Sequence, residues 1–268
     1  MRALLKEEAK KQFRAQYLPC VGVSAVSALI TLGLTWITGQ TTDTQAILDT
    51  VLVDPQGALG QSMLYTLLML FITVFTGTIS VESAYFFLCV FRGEQRSIRD
   101  FLTGLVTDVG KKVGVQLRTL LFVFLWCMAA MVPFIVTVVV LSSAMDAGNA
   151  LSALDALLWV FACAVGVLAI IKTLSYSMMP YLIRDCPQVT VRKSMRLSIA
   201  LTKGNKGKLF VLILSFVGWM LLAAVTFGVI GILYAGPYVA TTMAGFYHYL
   251  KRDGLASGVI NEGDLEAK

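Results

Sequence analysis

Charge is scarce in this chain, and positive charge is missing altogether from three of its polar stretches. Only 14% of the 268 residues are charged, against roughly 25% in a soluble globular domain. The chain is 57% hydrophobic with a mean hydropathy of +0.77. In water it would expose large sticky patches, so a bilayer is its natural solvent. Histidine is reduced to His248. One histidine cannot make an HExxH zinc site, and none is left to complete a hydrolytic triad. His248 falls among aromatics at the end of an apolar run and reads as an interfacial residue. There is no GxxxxGK[ST] loop and no GxSxG elbow. There is also no CxxC pair: Cys20, Cys89, Cys127 and Cys163 lie in or beside apolar runs, and Cys186 lies in a basic segment. That excludes a disulfide framework and a zinc ribbon and leaves small packing residues. No cofactor or metal is expected.

The basic residues that are present fall on one side of an alternation of apolar and polar segments. They cluster at 2–14, 92–118, 184–208 and 251–252, with Lys268 at the end. The connections at 39–62, 142–155 and around 228–231 contain none and carry Asp43, Asp49, Asp54, Asp146 and Asp155. This is the positive-inside pattern, and it places both termini in the cytoplasm. The net charge of +6 therefore points to anionic lipid headgroups and not to nucleic acid.

A helical span needs about 20 apolar residues. The chain offers spans at about 17–37, 63–91, 115–141 and 156–183. Residues 209–250 cover twice a span length and must fold back, with Gly228 and Gly231 as turn residues. That makes fifth and sixth spans at about 209–227 and 232–250. Pro133 predicts a kink in the third span, and Pro180 lies near the end of the fourth. The segment before the first span is long and carries Glu7 and Glu8, and no small-x-small site follows Trp36. The first span is therefore read as uncleaved.

The polar segments before the odd-numbered spans have helical periodicity. The apolar positions are Leu5, Ala9, Phe13 and Tyr17 in the first, then Ile98, Phe101, Leu102, Leu105 and Val109, then Val191, Met195, Leu197 and Ile199. Each is read as a helix lying in the cytoplasmic interface. The fold class is thus an all-α membrane protein. It is a six-helix transmembrane bundle with amphipathic interfacial helices on the cytoplasmic face. Units at about 1–92, 93–184 and 185–252 suggest a three-fold repeat of helix–hairpin units within one integral membrane domain. The returning spans end alike, in FRGE at 91–94, IRDC at 183–186 and KRDG at 251–254. Residues 253–268 read as a disordered cytoplasmic tail.

Two charges lie inside spans. Glu82 falls roughly 15 Å into a core about 30 Å thick, and Lys172 lies at a similar depth. Neither should face lipid alone, so a buried Glu82–Lys172 pair is expected, as a register-fixing contact or as part of a polar pathway. Headgroup contacts are expected from Lys10, Lys11, Arg14, Lys111, Lys112, Arg192, Lys193, Arg196, Lys203, Lys206 and Lys208. The KGNKGK run at 203–208 has no preceding strand and suits lipid phosphates better than a nucleotide. Asp100, Asp185 and His248 are the only groups available for headgroup chemistry, and no spacing links them.

The third unit carries a resemblance. Its elements are Lys193-Ser194, Lys203-Gly204-Asn205-Lys206, Lys208-Leu209-Phe210, Ser215-Phe216, Gly218-Trp219, Gly228, Gly231, Pro237-Tyr238 and Phe246-Tyr247. Together they resemble the C-terminal half of a bacterial integral-membrane family, domain of unknown function 975. FRGE followed by Leu125-Trp126 is similar to its middle section. The first unit departs from it, with Phe13-Arg14-Ala15 where a Leu-Lys-Gly turn is common. The resemblance covers most of residues 1–252. It implies a multi-span helical protein of the bacterial plasma membrane and supplies no activity. The residues then favour a non-enzymatic protein that interacts with anionic lipids or a membrane protein partner. The alternative is a transporter or channel for a small ion or amphiphile, using Glu82 and Lys172.

Overall fold

A computed structural model describes residues 2–41, 55–144 and 147–266, and over them the chain is helical, with no strand. Asp43, Asp49, Asp54, Asp146 and Lys268 lie outside the described residues. In chain order the helices are α1 (Arg2–Ala15), α2 (Tyr17–Thr41), α3 (Pro55–Phe91), α4 (Ile98–Val106), α5 (Val109–Ala144) and α6 (Ala147–Tyr176). Then come α7 (Met179–Asp185), α8 (Val191–Thr202), α9 (Lys206–Leu214) and α10 (Val217–Val225). A π-helical turn at Gly231–Ala235 leads into α11 (Gly236–Ala256), and α12 (Glu262–Leu265) ends the described chain.

Five stretches are long and apolar enough to cross a membrane: Tyr17–Ile37, Ser62–Phe91, Val109–Val140, Leu157–Asp185 and Lys206–Val225. This is the build of a helical membrane protein. The expected sixth span, 232–250, is not in that set. Its helix α11 buries Thr241, Thr242, Gly245 and Tyr247 inside the protein, and these polar and small residues lower its hydropathy.

Two of the spans are interrupted. Pro180 has no N–H to continue a helix, and the fourth span breaks at Ser177–Met178 before α7 restarts it. Ser198 of α8 repairs the break. Its hydroxyl donates to the Ser175 carbonyl at 2.8 Å and accepts the Met178 N–H at 3.3 Å. The fifth span breaks at Ser215–Phe216, between α9 and α10. The return to α11 is made at 226–228, where Gly228 has φ +84°. That left-handed conformation favours glycine. Gly231 falls in the π-helical turn and not at the reversal itself.

The core sits at one end of the helices. α3 is the hub, in contact with α1, α2, α4, α5, α7 and α11. Its C-terminal half is buried over Phe86–Phe91, whereas Met63, Leu64, Leu67 and Phe71 in its first half are exposed. Leu121, Phe124 and Val132 of α5 and Val160 and Val167 of α6 are exposed too. Apolar area uncovered on this scale suits contact with lipid.

The three amphipathic helices turn most of their stripes into the protein, but Tyr17 and Leu102, expected in them, are exposed. α1 buries Leu5, Ala9 and Phe13 as it packs on α11 and α3. α4 buries Phe101 and Gly104 on α3; the expected stripe ends there at Leu105, because Val109 opens α5. α8 packs on α6 and α7 through a face that alternates Ser194, Ser198 and Thr202 with Met195, Leu197 and Leu201. Ile199, expected in the stripe, is exposed. Of the tail 253–268, expected to be disordered, the described residues up to 266 fold back. Ile260 is buried, and Lys193 Nζ donates to the Gly263 carbonyl at 3.2 Å and lies 3.7 Å from the Asp264 carboxylate.

Candidate functional site

The buried charges gather at the basic end of the bundle, in two joined clusters. Glu82 on α3 is the centre of the first. Its Oε2 lies 2.6 Å from Lys112 Nζ and its Oε1 lies 3.0 Å from Arg184 Nη2. Arg184 reaches on to Asp108, 3.6 Å away. Lys112 also donates to the Gly104 carbonyl. Gly104 is required by this approach, since a Cβ there would overlap the Glu82 carboxylate. The Glu82 and Lys112 side chains are 2% and 0% exposed, so each charge depends on the other for the solvation that water would supply.

Asp185, the next residue after Arg184, is the centre of the second cluster. Its Oδ1 is 2.6 Å from Arg92 Nη1 and its Oδ2 is 2.6 Å from Lys251 Nζ. Tyr247 donates its hydroxyl to the same carboxylate at 2.9 Å and stacks on Tyr181. The FRGE, IRDC and KRDG ends thus meet in one ion network, through Arg92, Asp185 and Lys251. The Tyr85 ring has two guanidiniums over it, Arg96 at 4.8 Å and Arg184 at 4.9 Å from its centroid. Every oxygen of Glu82 and Asp185 faces a cation within 3.0 Å. Burial pushes the Cys186 thiol up, away from the reactive thiolate form.

The expected Glu82–Lys172 pair does not form. Lys112 starts near the basic end of α5, and Arg184 ends the fourth span; both are long enough to reach inward to Glu82. Lys172 projects instead over the Trp126 ring, with Nζ 3.3 Å from its centroid. Lys112, expected at lipid headgroups, is the buried partner of Glu82. The other bases expected at headgroups divide. Lys10, Lys11, Arg14, Arg192, Arg196 and Lys203 are exposed. Lys111 donates to the Pro187 carbonyl and Lys208 to the Asn205 side chain, each at 2.8 Å. Lys193 holds the returning tail, and Lys206 is half-buried. His248 is half-buried with its ring 6.0 Å from that of Phe91, and Asp100 caps α4.

The partners of Glu82 are not among the pairings that the sequence suggests. Their signal was present but weak: Lys112 and Arg184 belong to basic clusters, and nothing in the spacing separates an inward base from an outward one. Neither the curated proteins nor the solved structures contain a match to this chain. A family model described as "Protein of unknown function (DUF975)" matches residues 1–253. The match covers most of the chain, and the chain belongs to that family.

Proposed function

We propose that this is a non-enzymatic protein of the bacterial plasma membrane that holds anionic lipid headgroups on a cytoplasmic basic face. The proposed threading has six spans, with α11 as the last, and both termini on the cytoplasmic side. Three helix–hairpin units are part of this reading. It is supported by the way each amphipathic helix packs on a returning helix: α1 on α11, α4 on α3, and α8 on α7.

One observation carries the lipid reading. Glu82 and Asp185 are each matched by two cations and Asp100 by the α4 cap, so these three do not neutralise the outward bases, while Glu7, Glu8 and Glu94 stay exposed. The exposed bases Lys10, Lys11, Arg14, Arg192, Arg196 and Lys203 have no ion-pair partner among the described residues. Such a face attracts anionic headgroups by about 1 kcal/mol per basic residue. The transport alternative needed Glu82 and Lys172 in one pathway, and nothing in the geometry joins them.

The test is thermal stability in nanodiscs. Discs with anionic lipid should raise the melting temperature over zwitterionic discs, and salt should reduce the gain by screening. A triple Lys10→Gln, Lys11→Gln, Arg14→Gln variant should lose part of it. Equal stability in both discs, at low salt, rejects the reading.

A further inference from the structure

Lys172 lies in a groove that the ion network does not use. The groove has a volume of about 400 Å³ and is built from three helices. α5 presents Arg118, Phe122 and Trp126, four residues apart and so on one face. α6 presents Lys172 and Tyr176, and α8 presents Arg192 and Arg196, at the same spacing. Four cations therefore line one cleft. No carboxylate lines it, and none of the four has an ion-pair partner among the described residues.

The cations are steadied by rings. Lys172 Nζ sits 3.3 Å from the Trp126 centroid, and the Arg118 guanidinium lies 5.4 Å from that of Phe122. Ring faces attract a cation but do not replace a hydrogen-bond acceptor. Arg118 Nε is buried and has no such acceptor. An anion with several oxygens would supply what the cleft lacks and relieve the repulsion among like charges. The remaining walls are apolar: Phe122, Tyr176, Met195 and Ile199. The same two long helices lead away from the groove with Leu125, Met128 and Val132 on α5 and Val167 and Ile171 on α6 exposed. A charged head at the groove and a hydrocarbon tail along these helices fit that layout.

We propose that this groove binds the phosphate of an anionic phospholipid. A phosphomonoester headgroup is preferred to a zwitterionic one. The proposal rests on the lipid-binding reading above and gives it a specific site.

The test uses the purified full chain in a neutral detergent, with tryptophan fluorescence as the readout because Trp126 is in the wall. Dioctanoyl phosphatidic acid should give a saturable change. Dioctanoyl phosphatidylcholine and inorganic phosphate should bind at least about tenfold more weakly. A Lys172→Gln, Arg196→Gln variant should weaken phosphatidic acid binding by about tenfold or more, and Trp126→Phe should remove most of the signal. If the double variant does not fold, Arg192→Gln, at an exposed position, should still weaken binding. Equal binding of both lipids, unchanged binding by the folded variants, or inorganic phosphate binding as tightly as the lipid would each overturn the proposal. Anionic nanodiscs that stabilise a chain with no saturable phosphatidic acid binding would reject the groove and leave the broader reading standing.

Discussion

Glu82 illustrates how a buried charge is tolerated at the level of single residues. Its two oxygens face Lys112 and Arg184, and Gly104 leaves room for the carboxylate. Removing one member of such a pair strands the other, at a cost of about 3–5 kcal/mol. Glu82→Gln and Lys112→Met should each lower the melting temperature clearly. The double variant should be destabilised by less than the sum of the two, and a purely additive result would show no coupling. Gly104→Ala should destabilise without removing any charge, because the added methyl displaces the carboxylate. The depth of Glu82 was readable from its distance to Arg92 along one helix. Its partner was not, because three bases on separate elements could reach that depth and only packing chose between them.

At the scale of elements, α4 shows local sequence setting a boundary. Ser97 is its N-cap, and Asp100 completes a capping box by accepting from the Ser97 backbone and hydroxyl. Ser97→Ala should cost about 1 kcal/mol of helix stability. The Ser97 N–H, then its hydroxyl, hold the Asp100 carboxyl below the usual carboxylate range. A carboxyl depressed in the folded state stabilises fully above its unfolded pKa, about 3.9. That contribution is lost as pH falls through the folded value. Protection factors for amide exchange in α4 should therefore fall in acid, and Asp100→Asn should flatten this dependence. An unchanged acid response in the variant would rule out the cap as its source. The broken fourth span tells the opposite story. Pro180 announced trouble near its end, but the repair by Ser198, 23 residues from Ser175 in the chain, belongs to another helix and left no local mark.

Across the whole molecule, the basic residues and the buried core share one end, and uncovered apolar surface occupies the rest. The proposed threading is testable with single cysteines at 39–62 and 142–155 in a chain without native cysteines. An impermeant thiol reagent applied to whole cells should label both. Protection of both in a folded, accessible protein would reverse the orientation.

The sequence by itself determined the solvent, the helical class and the ends of most spans. Hydropathy, charge bias and turn glycines act over neighbouring residues, and a bilayer leaves a helix little choice of backbone structure. Only the tertiary structure decided which charges meet: Glu82 with Lys112 and Arg184, Arg92 and Lys251 with Asp185, and Lys172 on Trp126. Leu5, Ala9 and Phe13 of α1 and Phe101 of α4 face protein for the same reason. Long side chains of one sign are interchangeable along a sequence. Packing separates them, because a buried ion must be matched within a few ångströms and an outward base need not be matched at all.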